Sequence, residues 1–321
     1  MIRVGVPHWT SKDLLAKLPA EAEIVVLPEQ PSSPVEIDFW IAPLFPRQAR
    51  PVAPYLRGVK VVQSLLAGVD WLRSLVPQGA LLCDAQGVHN VATSEWAVAA
   101  ILAWTKFFPF YFDLQRQQQW ITRELADAHY HSVFGGNHSP YPPVLIEELE
   151  GKTVLIVGYG SIGSSIEERL SPFGVNVLRI ARTARPDVEA VDKLPHLLPL
   201  ADIVVLIVPF TQQTRGLMNA EMIAKMKQGA LLVNAARGPV VETGALVKAL
   251  EEKRIRAALD VTDPEPLPPG HPLWKAPNLL LTPHIGGSSP LFMPRAFQFA
   301  GEQVLRFMSG GPLLNVVQGE Y

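Results

Sequence analysis

The sequence predicts an α/β protein built of two parallel-sheet units. The first hundred residues alternate short β-branched runs with helical or turn-rich stretches, as crossover-connected parallel strands do. From Lys152 a strand, a glycine turn and a helix follow one another directly, and further apolar runs recur after them. With 321 residues, 48% hydrophobic and 18% charged, the chain is long enough for two domains that each bury a core.

Strands are expected in the first unit at Ile2 to Val6, Ile24 to Leu27, Phe39 to Ala42, Val59 to Gln63 and Ala80 to Cys83. Trp96 to Phe112 then reads as one apolar helix, with Thr93, Ser94 and Glu95 supplying its cap and first-turn acid. It is shorter than the roughly 20 apolar residues of a membrane span and is interrupted by Lys106 and Pro109, so burial between domains or subunits is expected. The polar stretch from Gln115 to Pro143 is long for a loop and is expected to be an arm reaching a second subunit of a homodimer. His129, His131 and His138 lie in it at spacings that match no zinc pattern, so no metal is expected.

The second unit should contain strands at Lys152 to Val157, Val175 to Ile180, Ile203 to Val208, Ala230 to Asn234, Ala257 to Val261 and Leu279 to Leu281, at least six in a doubly wound sheet. Its first helix is expected from Ser164 to Phe173, and a last helix of the chain from Pro290 to Met308. Gly158, Tyr159, Gly160, Ser161, Ile162 and Gly163 form the turn between first strand and helix. Such a turn lets backbone N–H groups approach a pyrophosphate at the positive helix end. After the second strand, where NAD-binding folds place an acid on the ribose, the chain reads Arg179-Ile-Ala-Arg-Thr-Ala-Arg185. Arg182, Thr183 and Arg185 suit a 2′-phosphate, so NADP(H) is expected to be preferred, with NAD(H) possible.

A formal charge of −2 gives nucleic acid and anionic membranes no electrostatic hold. The single cysteine, Cys83, excludes an internal disulfide and suits the reducing cytoplasm. The opening residues read as a strand rather than as a signal peptide. Three further segments each follow an apolar run with a polar side chain: Leu231 to Gly238, Ala258 to Pro266 and Leu280 to Gly287. Strand ends of a doubly wound sheet face the ligand crevice, which would place Arg237, Glu265 and His284 around one site.

With these motifs the chain resembles the D-isomer-specific 2-hydroxyacid dehydrogenases, in particular the glyoxylate and hydroxypyruvate reductases. The resemblance also rests on Pro209-Phe-Thr-Gln-Gln-Thr214, Asn234 to Val241, Leu65-Leu-Ala-Gly-Val-Asp70 and Asn90-Val-Ala-Thr-Ser-Glu95. It implies a Rossmann nucleotide domain, 96–288, inserted in a flavodoxin-like substrate domain, 1–95 and 289–321, with residues 96–143 as dimerisation helix and arm. It implies Arg237, Glu265 and His284 as the catalytic arginine, acid and histidine. Asp260 is implied near the nicotinamide carboxamide, Pro209 and Thr214 at the cofactor, and Leu66, Ala67 and Gly68 at the substrate carboxylate, which Arg237 and His284 also meet.

The expected reaction is hydride transfer between a nicotinamide and a small 2-keto acid, giving a D-2-hydroxy acid. His284 would supply the proton, Glu265 would bond the far ring nitrogen and favour the imidazolium, and Arg237 would hold the carboxylate. The same resemblance includes a corepressor branch, whose reading is a nucleotide-sensing scaffold without turnover. The chain departs from the commonest pattern at Ala181, where NAD-using members carry aspartate, and at Pro172 in the helix after the glycine turn. Ending soon after its last helix, it is expected to lack the regulatory module of longer relatives.

Overall fold

The computed structural model describes residues 1–135 and 146–319, which divide into two compact units: Met1–Asn90 with Ser288–Tyr321, and Val91–Gly287. The division falls at Asn90, ahead of the expected Trp96, because the helix that opens the second unit starts there.

The discontinuous unit contains β1 (Arg3–Pro7), β2 (Glu23–Leu27), β3 (Val35–Glu36), β4 (Phe39–Ile41), β5 (Leu56–Arg57), β6 (Val61–Gln63) and β7 (Leu81–Cys83). Five of them form a parallel sheet in the order β2-β1-β4-β6-β7, the flavodoxin order. The two-residue strands β3 and β5 pair with each other. One face of the sheet is covered by the Phe292–Met308 helix, which buries Ala296, Phe297, Ala300 and Val304 against Val4, Val6, Phe39 and Ile41. Gly301 lets the same helix approach the segment after β1, since a Cβ there would lie 2.2 Å from the Lys17 carbonyl oxygen. Inside this interface Gln303 donates to Gln63 Oε1 at 3.0 Å and to the Leu314 carbonyl, and accepts the Leu314 N–H. Its amide thereby pairs the last segment to the sheet without leaving a buried polar group unmatched.

The continuous unit carries β8 (Thr153–Val157), β9 (Asn176–Ala181), β10 (Glu189–Ala190), β11 (Ile203–Leu206), β12 (Leu231–Asn234), β13 (Arg256–Leu259) and β14 (Leu279–Leu281). All pair in parallel, in the order β10-β9-β8-β11-β12-β13-β14, the Rossmann order with one strand added. The expected six strands are present and β10 is additional. β11, β12 and β13 are buried along their whole length, so β11 and the first three residues of β12 read as apolar runs, while β13 opens on the buried Arg256. The first helix spans Ser161–Leu170, three residues earlier than expected at its start. Pro172 lies beyond its end in a short 3₁₀ turn, Ser171–Phe173, where a missing N–H costs the helix nothing.

The expected Trp96 to Phe112 helix is two helices, Asn90–Thr105 and Phe108–Arg116, meeting at 65°. Pro109 explains the break: its ring would strike the carbonyl of Thr105 if the helix continued. That freed carbonyl accepts the Glu147 N–H at 2.8 Å, and Phe107 turns the chain at φ 53°. Thr93 and Ser94 are interior residues of the first helix rather than its cap. Among the described residues no single helix is long and apolar enough to cross a membrane.

The stretch expected to form the arm is partly helical as far as Gly135. Residues Arg123–Phe134 form a helix, capped by Thr122 Oγ1 and ended by Gly135 in the left-handed region, and it packs on its own unit. Gln228 donates to the Val133 carbonyl at 3.1 Å. His129 stacks on Phe110, and burial, then the charges of Lys253 and Arg256, push its pKa down to about 4, so the ring is a neutral packing group near pH 7. His138 and residues 136–143 of the expected arm lie outside the described residues.

Arg256 ties these pieces together. Its guanidinium is 6% exposed, meets Glu147 Oε2 at 3.0 Å, and donates to the carbonyls of Gly229 and Trp104. It also lies over the rings of Phe107 and Phe134, at 5.3 and 5.2 Å from their centroids. Removing one partner of such a pair strands a buried charge. Glu147→Ala is expected to destabilise the chain by about 3 to 5 kcal/mol in urea unfolding, and the double variant Glu147→Gln with Arg256→Met by clearly less.

Candidate active site

A parallel sheet sends every strand's carboxyl end the same way, and the candidate residues lie just beyond those ends. After β8 the chain turns through Gly158 at φ 107°, where a Cβ would be 2.6 Å from the Ile207 backbone. Gly163 lets the helix settle on the strand, since its Cβ would sit 2.8 Å from the Gly158 carbonyl oxygen. Around a Cβ built at Gly160 there is nothing within 4 Å, and Gly160 caps the helix with no side-chain hydrogen bond. The turn therefore combines close backbone packing below with open space over the N–H groups of the helix start. This is what a dinucleotide pyrophosphate requires, and Ser161 and Ile162 lie in that first helical turn.

Tyr159 donates its hydroxyl to Glu167 Oε2 at 2.5 Å, and Arg179 Nε donates to the same oxygen at 2.7 Å. Arg179 lowers the Glu167 pKa below the usual carboxylate range despite the opposing effect of burial. Arg185 donates to the Tyr159 carbonyl and lies over its ring, so the basic turn after β9 folds back onto the glycine turn. Arg182 and Thr183 precede it in that turn. Glu167 was not legible as part of this arrangement, although its place in the helix after a GxGxxG turn was visible. Pro209 and Thr214 are joined beyond β11, where Thr214 Oγ1 donates to the Pro209 carbonyl at 2.8 Å.

Arg237, Glu265 and His284 follow the neighbouring strands β12, β13 and β14. Asn234, 1% exposed, shapes the first loop by accepting the Ala236 N–H and donating to the Arg237 carbonyl. Gly238 then lies so close to the next loop that a Cβ would be 1.9 Å from the Thr262 carbonyl oxygen. That next loop carries Glu265, whose Oε1 is 2.6 Å from His284 Nδ1. The pair is accessible, with side-chain exposures of 40% and 45%. Burial raises the Glu265 pKa, but the His284 hydrogen bond and charge, the Thr262 amide and the Arg237 charge together take it below the ordinary range. An ionised acid fixed on one ring nitrogen leaves the other able to exchange a proton with a ligand.

His284 itself has φ 55°. Asp260, 4% exposed, accepts its N–H through the backbone carbonyl and those of Ile285 and Gly286 through its carboxylate. Leu66, Ala67 and Gly68 belong to the other unit, in the loop after β6, where the Leu66 N–H is given to Ser64 Oγ at 2.9 Å.

Residues 98–286 match the family model described as D-isomer specific 2-hydroxyacid dehydrogenase, NAD binding domain. The chain belongs to that family. It is 36% identical over 263 residues to a glyoxylate reductase of Thermofilum pendens, covering 78% of this chain and 73% of that protein. The NADPH-dependent glyoxylate/hydroxypyruvate reductase of Sinorhizobium meliloti, solved with NADP and sulfate, superposes with a TM-score of 0.81 at 25% identity, over 99% of each chain. A D-isomer specific 2-hydroxyacid dehydrogenase of Xanthobacter autotrophicus, solved with NADPH and MES, gives 0.79 at 27% identity, over 99% of this chain and 98% of that one. As a family member the protein is an NAD(P)-dependent oxidoreductase of keto and hydroxy acids.

Proposed function

We propose that the protein reduces a small 2-keto acid of the glyoxylate or hydroxypyruvate kind to its D-2-hydroxy acid, with NADPH preferred, and that His284, Glu265 and Arg237 carry the chemistry. The observation that carries this reading is the 2.6 Å contact between His284 Nδ1 and Glu265 Oε1 beyond adjacent strands of the nucleotide sheet. The nicotinamide, when bound, supplies the hydride that no side chain can. Reduction also needs a proton on the carbonyl oxygen as the carbon–oxygen π bond breaks. His284, with Nδ1 held by Glu265, delivers that proton from Nε2. Arg237 pairs with the substrate carboxylate through its forked N–H groups. Asp260, Pro209 and Thr214 are assigned to the cofactor; the family resemblance assigns Leu66 to Gly68 to substrate.

The substrate class is supported by the relatives in Thermofilum pendens and Sinorhizobium meliloti. The cofactor preference is supported by Ala181 at the end of β9, which offers no acid to ribose hydroxyls, and by Arg182, Thr183 and Arg185 after it. A homodimer is supported by Phe108, Phe112 and Trp120, which are 47%, 54% and 89% exposed along one stretch of the chain. A net charge of −2 and the lone buried Cys83 agree with a cytoplasmic enzyme that binds neither nucleic acid nor membrane.

His284→Ala is expected to lower keto-acid reduction by about 10²- to 10⁴-fold while leaving NADPH binding, read by cofactor fluorescence, nearly unchanged. More than about a tenth of the wild-type turnover would assign the proton to another group. Steady-state kinetics should favour NADPH over NADH by about ten- to a hundredfold, and Ala181→Asp with Arg182→Ala should reverse the order mainly through the cofactor KM. Equal efficiency with NADH would reduce the arginines to a solvated turn. Light scattering at micromolar concentration should give twice the chain mass, and a value of 35.2 kDa would refute the dimer.

A further inference from the structure

Trp96, in the Asn90–Thr105 helix, donates its indole N–H to Thr282 Oγ1 at 3.1 Å. Thr282 Oγ1 in turn lies 2.6 Å from Asp260 Oδ1. The direction of this relay is fixed by chemistry. An indole N–H can only donate, so Thr282 Oγ1 accepts from Trp96 and gives its single hydroxyl proton to Asp260 Oδ1. Asp260 Oδ1 also accepts the Ile285 N–H at 2.8 Å, and Oδ2 the Gly286 N–H at 2.7 Å. The Asp260 carbonyl takes the His284 N–H at 2.7 Å.

These bonds surround a residue in a backbone conformation that side chains resist. At φ 55° His284 is in the left-handed region, which costs energy and persists only when neighbours over-determine it. The packing around the loop is also tight. A Cβ at Gly286 would lie 2.8 Å from Asp260 Oδ2 and 3.3 Å from the Trp96 ring. The helix and the loop after β14 thus enclose one carboxylate, and the imidazole is carried on the segment that this carboxylate holds.

We infer that Trp96 and Thr282 are positioning residues for the proton donor, acting through Asp260 to set where the His284 imidazole stands. The inference rests on His284 being that donor. Misplacing a catalytic group by about an ångström costs up to roughly a hundredfold in rate. Thr282→Val keeps the shape of the side chain and removes both the acceptor and the donor of the relay, whereas Thr282→Ser keeps both. Trp96→Phe keeps an aromatic ring in the helix and removes only the N–H.

With the full-length protein, NADPH and glyoxylate, Thr282→Val should lower kcat roughly ten- to a hundredfold. The dissociation constant for NADPH should change by less than kcat does, Asp260 being assigned to the cofactor as well, and the solvent deuterium isotope effect on kcat should rise as proton delivery becomes limiting. Thr282→Ser should restore most of the rate, and Trp96→Phe should fall between. The proposal is overturned if Thr282→Val keeps the wild-type kcat, if Val and Ser variants lose the same amount, or if the loss appears only in NADPH affinity. Should Thr282→Val fail to fold, judged by its thermal melt, Trp96→Phe decides alone: an unchanged kcat and isotope effect refute the relay. His284→Ala separates the two levels. If it is inactive while Thr282→Val is normal, only the relay fails; if it stays active, the assignment of the donor fails first.

Discussion

Parallel pairing is the constraint on which the rest of this molecule depends. A parallel strand can be followed by another only through a crossover, so each strand begins at one edge of the sheet and ends at the other. Seven such strands deliver the glycine turn, the basic turn, Arg237, Asp260 and His284 to one edge, although the residues concerned span 158 to 284 in the chain. No long loop is needed to gather them. The order β10-β9-β8-β11-β12-β13-β14 reverses at β8, and the glycine turn follows that strand.

Delivery to an edge is coarse, and finer placement comes from close backbone approach. Gly158 and Gly238 each stand where a single added carbon would overlap a neighbouring backbone, at Ile207 and at Thr262. The Gly238 contact draws the loop of Arg237 against the loop of Glu265. Asn234 and Asp260, both buried, then use side-chain oxygens to satisfy loop N–H groups that no strand partner reaches. Polar residues at the ends of apolar strands therefore serve geometry as much as chemistry.

The buried strands β11 and β12 were legible because a strand covered on both faces is a continuous apolar run, Ile203–Leu206 and Leu231–Val233 here, whereas β13 opens on the buried Arg256. The two-residue strands β3, β5 and β10 carry no such run and were missed. The break before Pro109 was readable from the proline alone, but apolar composition on both sides of it suggested one helix. The Arg123–Phe134 helix looked like a loop because its face is mostly polar, although Thr122 and Gly135 bounded it with ordinary start and stop signals. At the site, strand-end placement made Arg237, Glu265 and His284 visible, while the 2.6 Å contact between the last two depends on loop shapes that no spacing encodes. Trp96 was read as packing because it sits in an apolar stretch, and only its indole N–H connects it to Thr282.

The split composition of the first unit has a consequence for synthesis. Its sheet is made early, yet the helix that covers Val4, Phe39 and Ile41 is Phe292–Met308, which emerges after the whole nucleotide unit. At ordinary rates of translation that interval is on the order of ten to forty seconds. Throughout it the early sheet has an apolar face with no cover, whereas the later unit, continuous in sequence, has all its strands once Leu281 is made, before the covering helix begins. The first unit therefore completes its core only after the second has been made, although it was begun before it.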